Sequence, residues 1–469
     1  MRSLRVKTLV LAAVLFGSLA AAPASQAASQ WVESWTTGEQ ALYPAGYEVA
    51  QPGPTGPLGP NATGPLLKSA FPDNVARDQT LRMIIHPSIG GRAWKLRLTN
   101  VFGTQPVTFG HVTLAVQDTA GTVEPGSTRT VTFSGQRSVT VPAGQEAETD
   151  PVPLSLPTRP KDNLAVSVHV NGTSGPMTWH AASFMTSYIT DPGAGDHTAD
   201  PDDEAFPHST TSWFFLSGLE VRRPDAATVV AFGDSITDGF FSSINGHDTW
   251  PDDLQRRLTA RENRHGPKLS VVNQGIAGNM VTDIGRLPGG CTPCDGPSAL
   301  VRLDRDLLRL SNVRVAILLE GINDIGGGGA TAQQVIDGMK QLVARAHARG
   351  IKVIGATITP SEGTDAPGLE NYATPETDAR RRAVNDFIRS SGTFDGVADF
   401  SAATEDPANP GHLRPEFVPN SSIGGAGDHL HPNRAGFLAM ARSIDLAQLQ
   451  RLAAASRGRA HQAPRHGRG

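Results

Sequence analysis

Residues Thr228–Gly239 read Thr-Val-Val-Ala-Phe-Gly-Asp-Ser-Ile-Thr-Asp-Gly. An apolar, β-branched run ends at Gly233, and polar residues follow it. This pattern predicts a buried strand that stops at a turn. Because open α/β sheets bind ligands outside the carboxyl ends of their strands, Ser235 occupies a position suited to a nucleophile. The alternative is that Ser235 only caps the helix that follows.

Three later stretches also carry polar residues in a distinctive setting. Val271–Asn279 is an apolar run that leads into a glycine-bearing turn, and Val313–Ile325 repeats this form. Near the end of the chain, Asp428–Asn433 reads Asp-His-Leu-His-Pro-Asn. Strand–turn units of this kind, alternating with helices, indicate a parallel sheet covered on both faces.

In order and spacing, these four blocks resemble the GDSL/SGNH hydrolase superfamily. The resemblance extends from Thr228 to the C-terminal helix and implies a three-layer α/β/α fold with a parallel sheet. It also implies an esterase that needs no cofactor and no metal. Matched position by position, the blocks imply Ser235 as nucleophile, His431 as base and Asp428 as its partner, with an oxyanion hole formed by Ser235, Gly278 and Asn323.

The chemistry of these residue types agrees with that assignment. A serine hydroxyl is a weak nucleophile until a base takes its proton, and a carboxylate can hold the imidazole that acts as the base. His429 is the alternative base, but the family's catalytic histidine precedes a proline, as His431 precedes Pro432. Gly275 is the alternative to Gly278 in the second block.

The composition limits the possible partners. The 469 residues carry a net charge of −4, so no strong positive field favours nucleic acid. We expect an ester substrate as the partner. The sequence does not indicate an oligomeric state. No phosphate-binding loop and no metal-ligand spacing stands out.

Residues 1–27 have the features of a secretory signal peptide. A basic start precedes the apolar run Leu9–Leu19, and Ser25-Gln26-Ala27 is a small-x-small cleavage site. The apolar run is too short for stable insertion across a bilayer. We therefore expect a secreted protein, with a retained N-terminal anchor as the alternative.

Residues 28–225 predict an all-β, sandwich-like domain. After the Pro/Gly-rich stretch Thr36–Ser69, short alternating segments such as Trp94–Leu98 and Leu164–Val170 are separated by turn residues. This part is similar to the N-terminal β region of secreted actinobacterial-type SGNH esterases. We favour a structural role for it, covering the catalytic domain, over carbohydrate binding.

Residues 226–455 form the predicted catalytic domain, and residues 456–469 a disordered basic tail. Thr249 and Thr331 are the predicted caps of two helices. The predicted helices are Pro251–Leu258, Ser298–Leu310, Ala332–Arg349, Glu376–Ser390 and Arg434–Ala455.

The only cysteines are Cys291 and Cys294. A disulfide that closes this short loop is the default in an exported protein. A zinc site would need two further ligands, and the thioredoxin-like strand–helix context of a redox motif is missing.

The predicted function is that of a secreted serine esterase acting on acyl groups, acetyl or feruloyl, of plant polysaccharides. One alternative is a lipase or arylesterase that acts on lipid or small aryl esters. A second is a non-catalytic carbohydrate-binding protein that retains the fold. The loops expected to decide the substrate are Phe240–His247, Leu287–Pro297 and Pro360–Pro375.

Overall fold

The computed structural model describes residues 31–41, 70–155, 162–261, 266–284, 296–366 and 368–456. The predicted signal peptide, both cysteines and residues 457–469 of the basic tail lie outside these ranges, as does most of the predicted loop Thr36–Ser69. Antiparallel sheets occupy the chain up to Arg222, and a parallel sheet begins at Ala226.

Two antiparallel sheets make up most of the N-terminal region and pack around a shared apolar core. Trp94, Leu96 and Leu98 are buried in this core while Lys95 and Arg97 between them point away, which is the alternation expected of a strand with one buried face. The predicted sandwich-like fold is confirmed. The strands of the first sheet are Trp31–Thr36, Leu216–Arg222, Ala93–Thr99, Glu146–Glu148 and Val152–Pro153; those of the second are His208–Thr210, Ser187–Ile189, Val75–Ile85, Leu164–Pro176, Val107–Val116, Arg129–Thr130 and Val139–Val141.

A third, small sheet joins Trp213–Phe214, Thr178–His180 and Gln40–Ala41. Trp213–Phe214 and the strand Leu216–Arg222 follow each other in sequence but belong to different sheets, because Phe215 between them has a φ of 56°. His180 ends the middle strand of the small sheet.

The predicted catalytic domain is built on five parallel strands. In space they follow the order Lys268–Gly275, Ala226–Gly233, Val313–Leu319, Lys352–Ala356 and Gly396–Ala398. The first strand of the domain in sequence therefore lies between the second and the third. In such doubly wound sheets the ligand crevice opens beside this first strand, where the strand order reverses.

Helices cover both faces of this sheet, so the predicted three-layer α/β/α arrangement is confirmed. Val230 and Phe232 contribute to the apolar core on one face, and Val229 and Ala231 to the core on the other. The helices of the first layer are Ala299–Leu303, Ala332–Ala348 and Pro375–Ser390; those of the second are Trp250–Ala260, Phe400–Thr404, Arg434–Ser443 and Leu446–Ala455. Two short helices, Ser235–Asp238 and Ile322–Ile325, follow strand ends.

The predicted caps Thr249 and Thr331 are confirmed, since each accepts a hydrogen bond from a backbone N–H in its helix and forms a capping box. Two helix predictions need correction. The predicted helix Arg434–Ala455 is two helices, because Asp445 interrupts it and caps the second one. The predicted helix Ser298–Leu310 is α-helical only to Leu303 and continues as a π-helical turn.

The N-terminal region lies against the edge strand Lys268–Gly275 of the parallel sheet. Thr36 Oγ1 donates to the Asn273 carbonyl over 3.1 Å, and Ser88 Oγ donates to the Val271 carbonyl. Next to this edge, the Glu33 N–H donates to Thr228 Oγ1 over 3.1 Å. These bonds cover an edge that would otherwise expose unpaired backbone groups.

Candidate active site

The serine predicted as nucleophile stands at the carboxyl end of the first parallel strand. A Cβ at Gly233 would overlap Thr237 and the Leu319 carbonyl, so the tight turn after the strand requires glycine. Asp234 caps the short helix by accepting the Ile236 N–H over 2.9 Å. The cap is therefore Asp234, and the alternative in which Ser235 serves only as the cap is wrong.

Ser235, His431 and Asp428 form a continuous hydrogen-bonded chain. Ser235 Oγ lies 2.8 Å from His431 Nε2, and His431 Nδ1 lies 2.6 Å from Asp428 Oδ2. A carboxylate oxygen only accepts, so Nδ1 carries the hydrogen and the lone pair of Nε2 faces the serine hydroxyl. This arrangement lets the imidazole take the serine proton.

Asp428 is held in place as an ionised carboxylate. Its Oδ1 accepts the backbone N–H groups of Leu430 and His431 over 3.0 and 2.9 Å. Burial alone would raise the pKa of Asp428, but the charge of His431 and these hydrogen bonds outweigh burial and lower it. The three-residue turn thus fixes the carboxylate beside the imidazole.

The alternative base, His429, points elsewhere. Its backbone has a φ of 61°, and its Nδ1 lies 3.2 Å from Asp365 at the surface. The structure therefore brings His431, and not His429, to Ser235.

The second block supplies a backbone N–H from a glycine in the left-handed region. Gly278 has a φ of 76°, and within the described ranges no hydrogen bond engages its N–H. The alternative, Gly275, donates its N–H to Asn273 Oδ1 over 2.8 Å. The Gly275 amide is thus already used, which favours Gly278 as a donor to substrate.

The third block presents the Asn323 amide at the start of a short helix. Asn323 Nδ2 donates to the Asn279 carbonyl over 2.9 Å, and Asn323 Oδ1 accepts from the Tyr372 hydroxyl over 2.9 Å. Because a carbonyl only accepts and Nδ2 carries two hydrogens, one N–H remains for a ligand. Tyr372 was not singled out from the sequence.

Aromatic rings line the side of the site occupied by the histidine. The rings of Phe240 and Phe241 lie 5.0 and 5.5 Å from that of His431, and Phe184 packs edge-on against Phe240 at 5.7 Å. Phe184 belongs to the N-terminal region, so this region contributes to the surroundings of the site.

Beneath the nucleophile, Arg302 joins the carboxyl ends of three strands. Its guanidinium donates to the carbonyls of Gly233 and Gln274 over 2.9 and 2.8 Å, and lies 3.3 Å from Glu320. Asp234, which directly precedes Ser235, is buried as well, and this burial is the main reason that its pKa is raised to about 7. No motif in the sequence identified Arg302.

The comparison with protein families identifies the domain that contains this site. Residues 231–439 match the family described as GDSL-like lipases and acylhydrolases. This part of the chain is a GDSL-like lipase/acylhydrolase domain. Members of this family are acylhydrolases, so this domain is that of a carboxylic ester hydrolase.

Solved structures similar to this GDSL-like domain include three with related descriptions. A GDSL-like lipase from Bacteroides thetaiotaomicron is 17% identical, with 48% of this chain and 88% of that chain covered and a TM-score of 0.34. A carbohydrate acetylesterase from Sinorhizobium meliloti is 14% identical (46% and 96% covered, TM-score 0.36). An aryl esterase from M. smegmatis is 17% identical (48% and 100% covered, TM-score 0.36). No curated protein matches the chain significantly.

Two further features of the described residues concern metal ions and membranes. Among the described residues, no group of three or more His, Cys, Asp or Glu side chains is arranged to hold a metal ion. Within the same ranges, none of the helices is both long enough and apolar enough to cross a bilayer.

Proposed function

We propose that the protein is a secreted serine esterase that hydrolyses carboxylic esters through an acyl-enzyme formed on Ser235. The observation that carries this proposal is the hydrogen-bonded chain from Ser235 through His431 to Asp428, with distances of 2.8 and 2.6 Å. Export is proposed from the sequence of residues 1–27.

In the proposed reaction, Ser235 Oγ attacks the ester carbonyl carbon while His431 Nε2 takes the serine proton. The imidazolium, stabilised by Asp428, then protonates the leaving alcohol as the C–O bond breaks. Water attacks the acyl-enzyme in the same way, releasing the acid and restoring Ser235. The Ser235 and Gly278 N–H groups and the Asn323 amide hold the oxyanion, each worth about 3 kcal/mol in the transition state.

For the substrate, we propose short or sugar-linked acyl groups, such as acetyl or feruloyl esters of plant polysaccharides. The wall beside Asn323 is tightly packed, since a Cβ at Gly326 would overlap the Tyr372 ring. At Gly328, a Cβ would lie 3.4 Å from Met280 Cε and 2.9 Å from the Ile284 carbonyl. These contacts fix the segment that follows Asn323. The substrate class itself is proposed from the predicted export, the N-terminal β region and the resemblance of the chain to secreted SGNH esterases.

A lipase or arylesterase is the second candidate. It is favoured by the half-buried ring of Phe240, 5.0 Å from that of His431, and by Ile284, whose exposed fraction is 42%. Apolar surface of this kind suits an aryl or alkyl group. Three loops are expected to decide the substrate. Most of the second one, Leu287–Pro297, lies outside the described ranges, because residues 285–295 are not described.

The test compares p-nitrophenyl acetate, butyrate and octanoate with acetylated xylan and methyl ferulate. Ser235→Ala should lower kcat at least about 10³-fold without loss of fold. Ser270→Ala is the matched control, since Ser270 is a buried serine in the edge strand of the same sheet. An active Ser235→Ala protein would contradict the assignment of Ser235 as the nucleophile. Highest activity on octanoate would move the protein to the lipase group.

A further inference from the structure

A buried histidine of the N-terminal region reaches the helix that carries the nucleophile. His180 Nε2 lies 2.9 Å from Oδ1 of Asp238, the last residue of the helix Ser235–Asp238. Both side chains are nearly inaccessible, with exposed fractions of 2% and 4%. The two residues are 58 positions apart and belong to different regions of the molecule.

The other atoms of this pair are also engaged. His180 Nδ1 lies 2.7 Å from the Gly38 carbonyl, which can only accept, so Nδ1 carries a hydrogen. The Trp213 ring stacks on the imidazole at 5.5 Å. Burial alone would lower the pKa of His180, but the charge of Asp238 and the hydrogen bonds outweigh burial and raise it. His180 is therefore held at both ring nitrogens, by the Gly38 carbonyl on one side and by Asp238 on the other.

The second oxygen of Asp238 extends the connection to the oxyanion hole. Asp238 Oδ2 accepts the N–H of Ala277 over 3.0 Å, and Ala277 directly precedes Gly278. A Cβ at Gly275 would overlap the backbone of Asp238, so the helix and this turn approach as closely as glycine allows. One carboxylate thus joins the helix of Ser235 to the turn of Gly278.

We propose that His180 is a positioning residue for the esterase: through Asp238 it sets the separation between the Ser235 and Gly278 backbone donors. This proposal rests on the proposed function, because it assigns those two N–H groups to the oxyanion hole. It gives the N-terminal region a part in catalysis beyond covering the sheet. Oxyanion donors act mainly in the transition state, so a small displacement should lower kcat and leave KM nearly unchanged.

The first test replaces the pair with apolar residues. A single change would leave a buried charge without its partner, which is strongly destabilising, whereas the double variant His180→Leu/Asp238→Leu leaves none. With p-nitrophenyl acetate, we expect kcat to fall about tenfold or more while KM stays within about twofold. The Tm should fall by a few degrees without loss of the fold, because the Ala277 N–H and the Gly38 carbonyl lose their partners. A folded double variant with the wild-type kcat would overturn the proposal.

A milder pair of variants covers the case in which the apolar pair does not fold. His180→Gln/Asp238→Asn keeps an acceptor for the Ala277 N–H and should retain kcat within about threefold. His180→Gln alone leaves the buried Asp238 carboxylate without its histidine partner, so it should displace the helix end more and lower kcat by more than threefold, up to about tenfold, at unchanged KM. An unchanged kcat in His180→Gln, or equal losses in the two variants, would overturn the proposal.

The control is a more exposed histidine–aspartate pair with the same N–O separation, and it lies wholly within the N-terminal region. His169 Nε2 lies 2.9 Å from Asp78 Oδ1. The variant His169→Gln/Asp78→Asn should leave kcat and KM unchanged. Ser235→Ala is assayed in parallel. If that variant stays active, the proposed function fails; if it is inactive and His180→Gln keeps the wild-type kcat, only the role of His180 fails.

Discussion

The catalytic domain and the N-terminal region place their polar side chains in opposite ways. In the catalytic domain all strands run in one direction, so Ser235, Gly278 and Asn323, which follow three neighbouring strands, meet at one edge of the sheet. In the N-terminal region the strands are antiparallel, so successive strand ends lie at opposite edges. Parallel strands therefore gather reactive groups, and antiparallel ones disperse them.

The buried charges of the two regions differ accordingly. In the N-terminal region, Glu33 pairs with Arg97 at 2.6 Å and accepts the Ser311 N–H over 3.0 Å, which links the region to the catalytic domain. In the catalytic domain, Asp428 pairs with the histidine that faces Ser235. Apart from His180, residues of the N-terminal region should mainly affect stability when they are changed, and residues at the ends of the parallel strands should mainly affect rate.

The largest effect should come from the two histidines of the last block. His431→Ala should lower kcat at least about 10³-fold, because the base is lost. His429→Ala, its matched control, should keep kcat within about twofold, because His429 lies beside Asp365 at the surface. Steady-state hydrolysis of p-nitrophenyl acetate distinguishes them. Equal losses in both variants would contradict the assigned base.

A smaller effect is expected at Asn323 and its partner. Asn323→Ala removes an oxyanion donor and should lower kcat about 10²- to 10³-fold. Tyr372→Phe removes only the hydroxyl that holds Asn323 Oδ1, so a loss of about three- to tenfold is expected. Both losses should appear in kcat at similar KM. A loss for Tyr372→Phe as large as that for Asn323→Ala would show that the hydroxyl itself contacts the substrate.

In the N-terminal region, Glu39 should affect stability and not rate. Burial, and next the charge of Glu146, raises the pKa of Glu39 to about 8. Between the ordinary carboxyl range and about 8, the folded state holds a proton that the unfolded state releases, so the free energy of unfolding falls as pH rises.

Thermal unfolding checks this expectation. In wild type, Glu39 should contribute a fall in Tm from about pH 5 to about pH 8, and Glu39→Gln should reduce that fall by several degrees. The kcat of Glu39→Gln should equal that of wild type. A variant with the same pH dependence of Tm as wild type would show that Glu39 does not hold this proton.

The smallest effect is expected at a helix cap far from the strand ends. Thr331→Ala should lower the free energy of unfolding by about 1 kcal/mol, because the capping box of Ala332–Ala348 is lost. Thr331→Ser keeps the cap and serves as its control. Both variants should keep the wild-type kcat, as measured beside urea denaturation. A change in rate would mean that the distinction between strand ends and the rest of the domain is too simple.

Much of the catalytic domain was predictable because its central strands are buried on both faces. Ala226–Gly233 is buried at every position, which appears in the sequence as an unbroken apolar run before Asp234. The four blocks likewise identified the residues that the structure brings together at Ser235.

Residues outside the blocks were not predictable, because their partners come from distant segments. Arg302 donates to Gly233, 69 positions away, and His180 reaches Asp238 across the two regions. Tyr372 lies in the short 3-10 helix Glu370–Ala373 and donates its hydroxyl to Asn323, 49 positions away. No local pattern encodes such pairs, since each depends on how whole elements pack. The break at Asp445 was missed because the apolar spacing continues across it.

The most direct test of the central claim is to label the nucleophile covalently with a fluorophosphonate probe and to locate the labelled residue by peptide mass spectrometry. The account predicts one probe per chain on the peptide that contains Ser235, and no modification of Ser235→Ala. The hydrolytic activity should fall in proportion to the fraction of chains that carry the probe. Labelling of another residue, or full hydrolytic activity in a protein labelled stoichiometrically at Ser235, would contradict the claim that Ser235 is the nucleophile.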